Sequence, residues 1–212
     1  MVVVVLRLIT ALAAAAMLGV SAPAAARVEP GGFDAVLGAS LERTWSWQRV
    51  SACGDEAGEG RRVVTLRTAP SAALRTNGGT LRIVGTVESG GSATSWHGSC
   101  VRREQRCPTV RRPIAGTVRV SIRGDAVALS NLRYRVVGRS GCAPEIAAVR
   151  SALRNEPRLE RLVVRDREHK LRNARIPRLT VRASASPTQE LAGPVTGKVA
   201  ATVRWTLNLT RR

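Results

Sequence analysis

The chain is poor in the side chains that most often carry chemistry. Its only histidines are His97 and His169, its aromatics are four Trp, one Tyr and one Phe, and Lys170 and Lys198 are the only lysines among 34 basic residues. Each scarcity excludes something. Zinc needs closely spaced cysteine pairs or histidine partners, and Cys53, Cys100, Cys107 and Cys142 are too dispersed to offer either. His169 sits in the charge run Arg165 to Lys170, where a solvated residue is expected, and His97 lies between Trp96 and Gly98 with no marked nucleophile or orienting acid. There is no Gly-x-Ser-x-Gly elbow, no Ser-x-x-Lys and no His-Glu-x-x-His. No glycine-rich loop joins a strand to a helix start, so no phosphate cradle is visible. Asp55, Glu56 and Glu59 form the one local carboxylate group, but they lack the alternating oxygen ligands of a calcium loop. The expectation is a non-enzymatic protein without metal or cofactor, with a hydrolase lacking a recognisable motif as the least favoured alternative.

Long apolar runs are scarce too, and the only one is at the start. Arg7, the alanine-rich stretch Leu8 to Val20, Pro23 and an Ala-x-Ala exit at Ala26 have the layout of a secretory signal peptide over residues 1–26. An exported chain with an even set of cysteines is expected to form two disulfides and, once cleaved, to have no stable membrane insertion. The pairing expected from spacing is Cys100–Cys107 with Cys53–Cys142. The main competitor joins Cys53 to Cys100, if the segments ending in those residues are neighbouring strands that stop at one level.

What the chain has in excess is positive charge. Its formal net charge is +19, enough to attract polyanions such as cell-wall polymers or acidic glycans; nucleic acid is not the expected partner. The arginines are spread along the whole chain, so a compositional excess on solvated faces competes with a dedicated patch.

Period-two alternation recurs from Glu42 onward. Trp45 and Trp47 face one way against Thr44, Ser46 and Gln48, and the core is the expected place for both indoles. Cys53 to Gly60 reads as a glycine-rich acidic turn and Arg61 to Arg67 as its return strand. Leu81, Ile83 and Val87 alternate, as do Val118, Val120 and Ile122. Gly124-Asp125 turns the chain so that Leu132, Tyr134 and Val136 come back inward. That hairpin sets Arg119, Arg123, Arg133 and Arg135 on its outer side as a candidate polyanion site. The same turn spells Arg-Gly-Asp, but turn chemistry already accounts for the glycine and aspartate.

A helix is expected over about 144–155, opened by Pro144 and Glu145 and stopped by Pro157. Leu159 to Leu171 favours a strand and turn. Leu179, Val181 and Ala183 alternate, and Val199, Ala201, Val203, Trp205, Leu207 and Leu209 form the best strand in the chain. The fold class is therefore mainly β: an antiparallel β-sandwich or barrel-like domain over 42–212, preceded by a flexible lead-in over 27–41, with one short helix and two disulfides.

The rare residues concentrate between Ser92 and Val110. Closed by Cys100–Cys107, this stretch would present Arg102, Arg103, Arg106, Pro108 and Thr109 as a protein-binding loop, preorganised and so losing little entropy on docking. Cys107-Pro-Thr-Val-Arg-Arg-Pro113 resembles the disulfide-anchored reactive loop of the secreted bacterial subtilisin inhibitors. Cys142-Ala143 with Ala147-Ala148-Val149 is similar to that family's cysteine-led helix, although in that family the helix precedes the loop. The resemblance implies a protease-facing segment. Two functions follow as expectations: an envelope module binding an anionic polymer, or a secreted ligand or inhibitor presenting the Cys100–Cys107 loop.

Overall fold

The computed structural model describes residues 31–69, 72–136, 146–154 and 162–212. Among these residues, ten strands, Phe33–Ser51 (β1), Gly54–Thr68 (β2), Ala73–Leu74 (β3), Gly78–His97 (β4), Val101–Arg123 (β5), Ala126–Val136 (β6), Val163–Arg165 (β7), Arg178–Ala185 (β8), Thr188–Glu190 (β9) and Thr196–Arg211 (β10), make one antiparallel sheet; the helix Ala147–Arg154 (α1) lies between β6 and β7. The hydrogen-bonded order is β7-β6-β5-β4-β2-β1-β10-β8, with β3 beside β1 and β9 beside β10. The two ends of this path, β7 and β8, lie against each other, so the sheet is a nearly closed barrel and not a sandwich. Such closure leaves few unpaired edges.

Alternation produces this shape. Phe33, Ala35, Leu37, Ala39 and Leu41 of β1 point inward with Val64 and Leu66 of β2, Leu81 and Ile83 of β4, Val118 and Val120 of β5, and Val203, Trp205 and Leu207 of β10; all are buried in one core. β1, β2, β4, β5 and β10 then run on past the barrel as a sheet extension with its own small core. There Trp45, Trp47, Val195 and Val199 pack against Val149 and Ala152 of α1. Between the two cores the inward positions turn basic. Arg43 and Arg62 are direct cross-strand partners, and Arg112 opposes Val87. Arg43 and Arg62 are both engaged in interactions.

The indoles of the extension sit where β2 has no side chains. Trp45 pairs with Gly60, and Trp47 with Gly58. A Cβ on Gly60 would stand 2.1 Å from Trp45 Cζ2, and one on Gly58 2.5 Å from Trp47 Nε1. The rings therefore lie flat across the glycines, and each is only 3% exposed.

Several expectations need correction. Of the flexible lead-in expected over 27–41, residues 27–30 lie outside the described residues, and from Phe33 the chain is the strand β1, paired to β10 from Phe33 to Gln48. Cys53 to Gly60 is not a turn: the chain reverses at Ala52-Cys53, and Asp55, Glu56 and Glu59 lie within β2. Ser92 to Val110 is not a loop either, but the far end of the β4–β5 hairpin, reversing over residues 98–100. The disulfide formed is Cys53–Cys100, with Cα atoms 5.1 Å apart, which overturns both Cys100–Cys107 and Cys53–Cys142. It joins the β1–β2 and β4–β5 turns, which end at one level because β2 and β4 are neighbours. Cys107 is buried in β5 and is not free; Cys142 lies outside the described residues, as does the signal segment 1–26.

Other expectations hold. Trp45 and Trp47 are core, and all six inward residues expected of the last strand are buried. α1 falls within the expected 144–155, of which 144, 145 and 155 lie outside the described residues. The 163–165 strand followed by turns matches the reading of Leu159 to Leu171, of which 159–161 are outside the described residues. Tyr134 is the exception on its strand: Leu132 and Val136 pack on the core, while Tyr134 is 38% exposed. Among the described residues, no helix is long and apolar enough to cross a membrane.

Candidate functional site: the basic outer face

On the outer face of β2, β4, β5, β6 and β7, register places Arg67, Arg82, Arg111, Arg119, Arg123, Arg133, Arg135 and Arg165, all exposed. The four arginines expected as a patch are all there, but they do not oppose one another. Arg119 faces Ser130, Arg123 faces Ala126, Arg133 faces Thr117 and Arg135 faces Ala115. A bulge shifts the register between Thr117 and Arg119, with Asn131 in the left-handed region opposite it (φ 49°). Like charges directly across a ladder repel; here each arginine has a short neighbour instead.

Arg67 of β2, Arg82 of β4 and Arg165 of β7 extend the patch from other strands. Arg82, Thr117 and Arg133 form one row across β4, β5 and β6, and Arg67, Val84, Ala115 and Arg135 form the next across β2 to β6. With strands about 4.8 Å apart, guanidinium-bearing positions stand about 10 to 14 Å from one another across a floor of Thr, Val and Ala. None of these eight arginines makes a salt bridge among the described residues. The paired acids engage other cations: Glu42 and Glu88 on Arg61, Asp34 on Arg212, Glu104 on Arg102 and Arg106, Asp125 on Arg172 and His169; of these, Glu88 stands opposite Arg111 in the ladder. Arg67 and Arg82 lie far from the β5–β6 hairpin in sequence, and only strand order brings them in.

The second candidate, the Cys100–Cys107 loop, is dispersed. Arg102, Arg103 and Arg106 are exposed on β5, hydrogen-bonded to β4 opposite Trp96, Ser95 and Ser92. Pro108 and Thr109 mark the register shift between Ser89 and Gly91. The segment resembling an inhibitor loop is thus part of a long strand, and Cys100 is bonded to Cys53 instead.

The far end of the sheet extension is tied down by polar contacts. Glu56 is buried; Arg49 Nε donates to its Oε2, and the Trp96 backbone N–H donates to Oε1 at 3.2 Å. The Arg49 guanidinium, helped by that N–H, holds the carboxyl below the usual carboxylate range despite burial. Trp96 Nε1–H also donates to the Asp55 carbonyl at 3.1 Å.

Neither histidine assembles a catalytic set. His97 Nε2 lies 3.4 Å from Ser95 Oγ, at the exposed end of β4. His169 Nδ1 lies 2.8 Å from Asp125 Oδ2, and Arg172 Nε is 3.0 Å from Oδ1. Asp166 N–H donates to the Asp125 carbonyl at 2.6 Å, so this cluster fastens the β5–β6 turn to the segment that closes the barrel. It also engages the aspartate of the Arg-Gly-Asp sequence. Among the described residues, no group of three His, Cys, Asp or Glu side chains could hold a metal ion. Comparison with family models, curated proteins and solved structures finds no match to this chain.

Proposed function

We propose that this is an exported, non-catalytic cell-envelope module that binds an anionic polymer through the outer face of β2, β4, β5, β6 and β7. The observation carrying this reading is the field of eight exposed arginines, none in a salt bridge among the described residues and all but Arg111 without an acid opposite in the ladder, spread over a floor of short side chains. An arginine field left unpaired inside its own fold is available to carboxylates, sulfates or phosphates, which the planar guanidinium receives in bidentate fashion. Export is supported by the N-terminal pattern of residues 1–26 and by the Cys53–Cys100 disulfide, which suits an oxidising compartment. In this reading the signal segment is removed after Ala26, and Cys107 pairs with Cys142 as the second disulfide.

The test is salt-dependent retention on heparin. Each arginine that meets an anion should contribute about one unit to the slope of log affinity against log salt. Replacing Arg119 and Arg133 by Ser should flatten the slope by about two units, whereas Arg178→Ser with Arg204→Ser, on the outer face of β8 and β10, should leave it nearly unchanged. Equal flattening by both pairs would mean that total charge alone drives binding.

A further inference from the structure

On the outer surface of the sheet extension, beyond the Arg111 end of the arginine field, register lines up a second constellation. Lys198 of β10 pairs with Ser46 of β1, Ser46 with Glu59 of β2, Glu59 with Ser92 of β4, and Ser92 with Arg106 of β5. Read across five strands, the row is cation, hydroxyl, carboxylate, hydroxyl, cation. It runs through two adjoining clefts of about 410 and 550 Å³ that meet at Ser46 and Glu59; Lys198 lines the first beside Arg61 and Glu88, which are ion-paired to each other, and Ser92 and Arg106 line the second beside Glu104.

The serines determine the chemistry. With about 4.8 Å between strands, Glu59 stands about 10 Å from Lys198 and from Arg106 at Cα level, too far for direct ion pairs without bending the long side chains flat over the serines; Arg61, two residues along on the same face, is engaged by Glu42 and Glu88. Glu59 and Lys198 make no salt bridge among the described residues, and Arg106 reaches only Glu104, at 4.0 Å. Glu190, opposite Lys198 on β9, does not line either cleft. The cleft thus holds separated charges whose ideal partner is a chain of opposite alternation. It would carry an ammonium for Glu59, with an anionic group on each side for Lys198 and Arg106, its backbone hydrogen-bonding Ser46 and Ser92.

From this juxtaposition we infer a binding site for an extended zwitterionic chain, an ammonium flanked by two anionic groups. In an extended peptide, side chains two residues apart share a face at about 6.8 Å spacing. The flexible Lys198 and Arg106 side chains can lean in to close the remaining distance. The site does not depend on the arginine field.

The probe is the peptide acetyl-Asp-Gly-Lys-Gly-Asp-amide, titrated calorimetrically into the full exported chain, beside the same peptide acetylated on the lysine amine. Charge-assisted hydrogen bonds predict that acetylation weakens binding on the order of tenfold. Glu59→Gln should weaken the unmodified peptide to the same degree and abolish the difference between the two peptides. Arg119→Ser with Arg133→Ser should leave both affinities unchanged, which separates this site from the polyanion face. Absence of saturable binding, equal affinity for the two peptides, or a difference that survives Glu59→Gln would each overturn the assignment.

Discussion

The seating of Trp45 on Gly60 sets up a test in which two glycine-to-alanine changes should act in opposite directions. An alanine Cβ at 60 would stand 2.1 Å from Trp45 Cζ2 and 2.4 Å from Cε2, against an ordinary carbon–carbon contact of about 3.5–4.0 Å. The indole would have to retreat by about 1.4 Å. It has nowhere to go, since Trp47, Val149, Ala152, Val195 and Val199 fill the cluster around it. Overpacking of this kind costs about 1–3 kcal/mol, while the stiffer unfolded chain returns about 0.4–1 kcal/mol. Gly60→Ala should therefore lose about 1–2 kcal/mol, a fall in Tm of about 2–8 °C for a chain of this size. Gly38, on the outer face of β1, has nothing within 4 Å of the corresponding position and no left-handed φ. Gly38→Ala should gain about 0.4–1 kcal/mol, raising Tm by about 1–4 °C. Thermal and urea unfolding followed by circular dichroism measure both. Combining Gly60→Ala with Trp45→Leu should recover part of the loss, a coupling of about 1 kcal/mol in a double-mutant cycle. If Gly60→Ala matches or exceeds the unmodified protein, the interlock of indole and glycine is wrong.

Other outcomes follow from the tip of the extension. Glu56 has its carboxyl held below 4.5, first by the Arg49 hydrogen bond; its stabilising effect is fully present above the ordinary carboxylate range and lost as pH falls through the depressed value. Glu56→Gln should cost about 1–2 kcal/mol at pH 7 and flatten the acid limb of a stability–pH profile; an acid limb identical to the unmodified protein's would refute the role given to Arg49. Non-reducing peptide mapping should recover Cys53 joined to Cys100 and Cys107 joined to Cys142; any peptide linking Cys100 to Cys107 would contradict the arrangement of the two turns.

Much of the fold was legible because alternation survives where a strand has one dry and one wet face. β10 and the β5–β6 hairpin show it plainly, since most of their inward residues are large and apolar. β1 hides it from Phe33 to Leu41, because two of its five inward positions are alanine and Val36, 59% exposed, interrupts the polar side. Gly58 and Gly60 misled in another way. Beside three carboxylates they look like turn residues, yet they are there to leave room for indoles one strand away, a cause that only pairing shows. The disulfide failed for a related reason: six residues between Cys100 and Cys107 look like a closable loop, but β5 is extended there and Cys100 faces the neighbouring turn. Of the candidate site, the hairpin arginines could be placed on one face from their spacing. Arg67 and Arg82 could not, and neither could the Lys198–Ser46–Glu59–Ser92–Arg106 row, whose members come from five strands.

The two faces of the extension are mechanically linked. Beyond the arginine band, the sheet has no barrel interior to lie on, and a single layer needs a hydrophobic cover to persist. Trp45, Trp47 and α1 supply that cover on the inner side, and the Cys53–Cys100 bond with the Glu56 contacts fixes the far end. With the inner side and the tip both held, the outer side is free of any packing duty. It can carry serine, threonine and glycine where a sheet stabilised from that side would need bulk. Gly90 and Gly91 at the register shift, together with Gly60, line the first cleft and keep it shallow-walled and open. The barrel thus supplies most of the buried apolar surface, and the extension, rigid but thin, presents separated charges on a floor of hydroxyls. A ligand meeting that floor finds Lys198, Glu59 and Arg106 already spaced by the strand ladder, so the ordering it would otherwise have to impose is largely done by folding.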